Sequence, residues 1–199
     1  AGSLADALVI FELAKRHNVP VWSASSIRFS TTTQSLLGDE KVGDIVGATT
    51  WGSCAYQEGT PDMYYYGIHG IEALFTLMGG GCESVVRTTT EGADVLTGVW
   101  KGGRVGTYRG IRDGKAEFGA TAFGSKGIVT AGPASAYVEL CTEIATFFQT
   151  RKPPVQPEET LEILAFMEAA DESKRLGGVP VRLDTIFAKA KQEAAAKLK

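Results

Sequence analysis

The sequence is short of the residues that most often announce chemistry. It holds 2 histidines and 3 cysteines in 199 residues. Cys54, Cys82 and Cys141 are odd in number and far apart, and no Cys-x-x-Cys occurs. That excludes a disulfide framework and leaves too few ligands for a structural zinc site, so no metal is expected. The same scarcity suits a reducing, cytoplasmic setting. No run approaches the ~20 apolar residues that span a bilayer. The opening "AGSLADALVIFELAKRHN" carries acidic residues where a signal peptide would be basic. A membrane partner is therefore not expected. Positive charge is not in excess: the net charge of −3 argues against a nucleic-acid partner, because phosphate recognition needs a basic surface. Gly-x-Gly-x-x-Gly and Gly-x-x-x-x-Gly-Lys-Ser/Thr phosphate loops are missing, as is a Gly-x-Ser-x-Gly nucleophile elbow.

What is present is a core. A hydrophobic content of 44% over this length suits one domain, or one domain and a fragment of another. Ser3 followed by Asp6 reads as the cap of a helix over about 3–17, and "VPVWSA" as a short buried strand over 20–24. A lone αβ unit cannot cover both faces of a parallel strand, so residues 1–24 read as the closing helix and strand of a larger domain. "IVGATTWGSC" is a strand by its β-branched residues. A helix over about 62–78 stops at Gly79–Gly81. "CESVVRTTT", "ADVLTGVW" and "RVGTYRGI" form an antiparallel meander, turned at Lys101-Gly102-Gly103. "KAEFGATAF" is expected to continue it across Asp113-Gly114. Tyr137, Cys141, Ile144 and Phe148 share one stripe of a further helix. Pro157 opens an acid-led helix, "VPVRL" makes a short strand, and the alanine-rich tail reads as a solvated helix.

The stretch "DMYYYGIHGIEALF" holds the more informative histidine. Ile68, Ile71, Phe75 and Met78 form an apolar stripe, while helical spacing groups Tyr65, His69, Glu72 and Thr76 on a polar one. A histidine in such a strip can exchange a proton near neutral pH; it can equally be a core histidine satisfied by a neighbour. His17, at a helix C-terminus, reads as structural. Arg28 follows the "VPVWSA" strand, where ligands gather at the ends of parallel strands, and a surface salt bridge is its other reading.

The order of elements resembles the C-terminal part of the Gfo/Idh/MocA family of NAD(P)-dependent oxidoreductases. The pieces that carry the resemblance are "LAKRHNVPVWSASSIRF", "GIHGIEALFTLMG", "AFGSKGIV" and "ETLEILAFMEAADESKRLGGVPVRL". It implies an α+β fold, an open and mostly antiparallel sheet with helices on one face, like that of glyceraldehyde-3-phosphate dehydrogenase. It also implies that residues 1–24 end a truncated Rossmann domain and residues 25–199 form a substrate-binding and oligomerisation domain. NAD or NADP would serve the full-length parent, with none bound by this chain alone. The substrate would be a sugar, polyol or related secondary alcohol, and the open sheet face would meet a second copy in a homo-oligomer. By position His69 would be catalytic. Tyr65, which stands where many members have an aspartate, would be catalytic with it, and Tyr66 and Arg28 would contact substrate. The competing reading is a non-catalytic α+β protein whose sheet mediates association or binds a small ligand.

Overall fold

The computed structural model describes residues 1–199. Helix α1 (Leu4–Arg16) begins where Ser3 Oγ accepts the Asp6 N–H at 3.0 Å and ends at His17. The following residues 19–25 form neither helix nor strand and pair with no strand. The main-chain N–H groups of Val21, Trp22, Ser23 and Ala24 have no hydrogen-bond partner in the chain. The strand expected over 20–24 is thus an unpaired segment without a sheet, since a β-ladder needs a neighbour that these residues do not meet.

A 3₁₀ turn (Ser26–Phe29) and the short α2 (Thr31–Gln34) lead into β1 (Ile45–Ser53). Then come α3 (Gly67–Met78), β2 (Cys82–Thr89), β3 (Ala93–Trp100), β4 (Val105–Ile111), β5 (Gly119–Gly124) and β6 (Ile128–Ala131). Helices α4 (Tyr137–Thr150) and α5 (Pro157–Arg175), the two-residue β7 (Val181–Arg182) and α6 (Leu183–Lys197) complete the chain. The seven strands lie in the order β6-β5-β1-β4-β3-β2-β7. Every pairing is antiparallel except β1 with β4.

The meander β2-β3-β4 is as the sequence predicts, with Lys101–Gly103 at its turn. The fourth strand is not its continuation. β1 lies between β4 and β5, so Asp113-Gly114 opens a loop over 112–118 and not a hairpin. The turn signal is local, whereas strand order is set by which partner covers the apolar face.

Helices α3, α5 and α6 cover one face of the sheet. Phe75, Trp100 and Phe166 meet there with ring centroids 5.3–6.1 Å apart. Gly70 lets α3 approach closely, since a Cβ there would stand 2.2 Å from the Tyr108 ring. Thr50 Oγ1 on β1 donates to the Gly70 carbonyl at 2.8 Å. The tail helix is less solvated than its composition suggests. Leu183, Ile186, Ala190 and Ala194 are buried as a stripe with period near 3.6, where α6 packs on α1 and α5. The stripe of α4 has the opposite fate: Tyr137 and Phe148 are 74% and 77% exposed.

The other sheet face has no helix on it. Thr130, Thr121, Thr49, Thr107 and Thr97 lie side by side across β6, β5, β1, β4 and β3. Beside them Ile128, Phe123, Val105 and Val99 are exposed.

A buried ionic cluster ties the β1–α3 loop to the sheet. Arg87 on β2 donates from Nε to Asp94 at 2.8 Å, and from a terminal nitrogen to Asp62 and to the Tyr56 hydroxyl, both at 2.8 Å. Its other terminal nitrogen binds Asp171 on α5. Asp94 also accepts from Arg112, Tyr56 and Thr89. The side chains of Arg87 and Asp94 are both 0% exposed.

Candidate active site

α3 begins at Gly67, later than its apolar periodicity suggests. Residues 61–66 form successive turns, with Tyr64 N–H donating to Pro61 at 3.0 Å and Ile68 N–H to Met63 at 2.7 Å. Asp62 in this loop is held by Arg87 on β2 at 2.8 Å and by Lys174 on α5 at 2.6 Å, contacts that tie the segment to the sheet and not to α3. The helical spacing between Tyr65 and His69 therefore does not hold. Tyr65 stacks edge-on with Tyr66 at 4.9 Å, and its hydroxyl makes no hydrogen bond to His69 or to any other group of the chain. Tyr66 is closer to the site: its ring meets the His69 imidazole edge-on at 5.8 Å. Phe118 does the same at 6.0 Å.

His69 occupies the first turn of α3 and is half-buried. Its Nδ1 lies 2.8 Å from Ser25 Oγ, and its Nε2 has no partner in the chain. Burial lowers the imidazole pKa, so the ring is neutral at physiological pH. Both sequence-level readings of this histidine are present in one side chain. One nitrogen is satisfied like that of a core histidine, and the other is left open.

One helical turn on, Glu72 is 3% exposed. It accepts the Ser25 N–H at 2.6 Å and Arg28 Nε at 2.8 Å. Burial pushes its carboxyl up to about 7, although Arg28 and the Ser25 amide both pull it down. Arg28, only 9% exposed, extends a terminal nitrogen to Glu159 on α5. The Gln34 amide donates to the Arg28 carbonyl at 2.7 Å. Arg28 is thus part of a buried ion pair and not a surface salt bridge. It lies beside His69 through Glu72 and Ser25, with two of its nitrogens already engaged.

The structure brings His69, Tyr66 and Arg28 to one place and leaves Tyr65 at its rim. It adds Ser25, Glu72 and Phe118. Glu72 is visible in the sequence as a neighbour of His69 on the polar strip. Ser25 is not: its one local signal is that a serine before a turn can cap it, and its hydroxyl does accept the Ile27 N–H at 3.2 Å.

No model of a known protein family matches the sequence, and no curated protein does. Solved structures do. A myo-inositol dehydrogenase candidate from Sinorhizobium meliloti superposes with a TM-score of 0.78 at 13% identity, over 92% of this chain and 71% of its own. An oxidoreductase from Agrobacterium radiobacter, solved with NAD+, L-tartaric acid and magnesium, gives 0.76 at 15% identity, over 94% and 71%. The fold is that of the Gfo/Idh/MocA oxidoreductases. The WlbA dehydrogenase from Bordetella pertussis, solved with NADH and UDP-GlcNAcA, shares the Gfo/Idh/MocA fold at a TM-score of 0.69 and 17% identity, over 92% and 69%. In all three, the matched part is about 70% of the protein.

His69 Nε2, with Tyr66 and Phe118 around the ring, is left open to a group from outside the chain. Nothing in the chain supplies the glycine-rich turn that holds the pyrophosphate.

Proposed function

We propose that the chain is the substrate-binding and oligomerisation part of an NAD(P)-dependent dehydrogenase acting on a sugar, polyol or related secondary alcohol. The observation that carries this reading is His69. Its Nδ1 is held from within the protein while Nε2 is left open, in a fold shared with NAD-bound oxidoreductases. The substrate class rests on the sugar and polyol names among the structural neighbours. NAD(P) would supply the hydride chemistry. This chain would bind and orient the substrate, and His69 would hydrogen-bond the reacting oxygen through Nε2 and stabilise the charge that develops there. Tyr66 and Phe118 would flank the reacting group. Arg28 would act from behind, by holding Glu72 and the turn that carries Ser25.

Residues 1–24 fit a nucleotide-binding domain completed by chain outside these residues, and 25–199 the second domain. The support is the unpaired segment at 21–24. Four consecutive unpaired main-chain donors suit a strand that adds to a sheet. A self-contained, non-catalytic protein would leave them without purpose. The open sheet face, with its threonine row and exposed Phe123, Ile128, Val99 and Val105, suits a second copy of the chain. The three unpaired cysteines suit a cytoplasmic protein.

The reading frame upstream of Ala1 tests the division. A Gly-x-Gly-x-x-Gly roughly 120 residues earlier, opening a strand–helix unit, is the expected finding. The enzyme expressed from that frame should reduce NAD+ or NADP+ with at least one cyclic polyol or sugar. An immediate start codon, or inactivity across such a panel, would contradict the reading.

A further inference from the structure

Ser25 stands between the two halves of the site. Its amide donates to Glu72 Oε2 at 2.6 Å, and its hydroxyl touches both the Ile27 N–H, at 3.2 Å, and His69 Nδ1, at 2.8 Å. We propose that Ser25 is the positioning residue of this site: its hydroxyl donates to Nδ1, keeps the imidazole proton on Nε2, and presents His69 to a bound ligand as a hydrogen-bond donor.

The inference follows from counting donors and acceptors. A hydroxyl has one hydrogen and two lone pairs. One lone pair of Ser25 Oγ accepts the Ile27 N–H. If Nδ1 carried the imidazole proton, Oγ would accept a second time and its own hydrogen would have no acceptor, because Oγ bonds to nothing else. Ser25 is 5% exposed, so that hydrogen would be stranded away from water, which is unfavourable. The arrangement that leaves no hydrogen stranded is O–H to Nδ1, with the neutral imidazole carrying its proton on Nε2. When the ring is protonated, Nδ1–H donates back to Oγ and Nε2 still carries a proton. The ring therefore offers an N–H at Nε2 in both charge states.

The charged groups nearby leave this unchanged. Glu72 on α3, Arg28 on the 3₁₀ turn and Glu159 on α5 bond to one another and to the Ser25 amide, and none bonds to the imidazole. Tyr66 and Phe118 stand at 82° and 86° to the ring, one from the loop before α3 and one from the loop before β5. Tyr65 has no part in orienting it. The ligand atom opposite His69 must then be an acceptor, such as a carbonyl oxygen, or a hydroxyl oxygen whose own hydrogen points elsewhere. The catalytic meaning of this depends on the oxidoreductase reading, but the hydrogen-bond arrangement does not.

The test needs no substrate. In the ¹⁵N-labelled 199-residue chain, His17 and His69 are the only imidazoles, and His17→Gln leaves a single ring system. Two-bond proton–nitrogen correlation spectra above neutral pH should show His69 as the Nε2–H tautomer, with Nδ1 shifted upfield by an accepted hydrogen bond. Ser25→Thr should keep that pattern. Ser25→Ala retains the amide bond to Glu72 but loses the hydroxyl, so the tautomers should mix, with Nδ1 moving upfield toward a protonated nitrogen and Nε2 moving downfield. An Nδ1–H tautomer in the unsubstituted chain would overturn the proposal, and that spectrum decides the matter even if Ser25→Ala does not fold. An unchanged ring spectrum in a folded Ser25→Ala chain would overturn it as well. Failure to find an oxidisable substrate would instead count against the oxidoreductase reading and leave this result standing.

Discussion

Two buried arginines divide the labour of this molecule, and they are built to different rules. Arg87 sits in a cluster of three cations (Arg87, Arg112, Lys174) and three carboxylates (Asp62, Asp94, Asp171). Burial alone would raise the Asp94 pKa, but hydrogen bonds from Arg87, Tyr56, Arg112 and Thr89 bring it down to about 2. Arg28 has two carboxylates and no second cation, and burial takes Glu72 up to about 7. The first cluster is closed, and every group in it answers another. The second is short of positive charge and ends on a histidine with a nitrogen to spare. A matched cluster fixes a loop; an unmatched one beside an open imidazole is where proton chemistry is feasible.

The largest effect should come from opening the closed cluster. Arg87→Met leaves Asp94 buried without its main partner and should lower unfolding free energy by about 3–5 kcal/mol, read from urea denaturation. Arg28→Met should be milder, about 1–2 kcal/mol, because Glu72 can take up a proton instead of remaining a buried unpaired charge. Equal losses from the two variants would erase the distinction between the clusters.

The pH dependence of Asp94 and Glu72 should run in opposite senses, while Asp171 of the Arg87 cluster follows Glu72. Asp94 has a depressed pKa, so its contribution, about 2 kcal/mol, is present above pH 3.8 and is lost as the pH falls toward about 2. Glu72 has a raised pKa, so its contribution is complete below pH 4.5 and is lost as the pH rises through about 7. Asp171, pushed up to about 6 by burial, adds to that neutral-side loss. The difference between the chain and Glu72→Gln isolates the Glu72 part. On going from pH 5 to pH 8, the unsubstituted chain should lose stability relative to the variant, by on the order of 2 kcal/mol. A difference that stays flat with pH would mean Glu72 is held ionised as firmly as Asp94. The smallest effect should be that of His69→Ala on unfolding, within about 1 kcal/mol, since one of its nitrogens has no partner in the chain.

Local patterns made much of this legible in advance. The Ser3 cap, the helix stop at Gly79 and the β2-β3-β4 meander follow from capping, glycine conformation and alternation, which act within a few residues. His69 and Glu72 were within reach because one turn of helix separates them. Non-local placement was not legible. Strand β1 between β4 and β5 depends on which strand fills the sheet, and no turn residue encodes that. The late start of α3 depends on Asp62 being drawn to Arg87, 25 positions away in sequence. Ser25 meets His69 across 44 positions, and its residue type alone does not distinguish it from its neighbours Ser23 and Ser26. Arg28 seemed equally suited to a surface salt bridge and to a ligand; the carboxylates that hold it come from α3 and α5, which meet only in the folded chain.

The most direct measurement is the steady-state rate of the proposed NAD(P)-linked polyol oxidation by the protein expressed from the full reading frame, with His69→Ala compared against the unsubstituted protein at matched thermal midpoint. The account predicts a fall in kcat of roughly 10²–10³-fold with the fold intact. A rate within a factor of about two would place the chemistry elsewhere and leave His69 a core histidine.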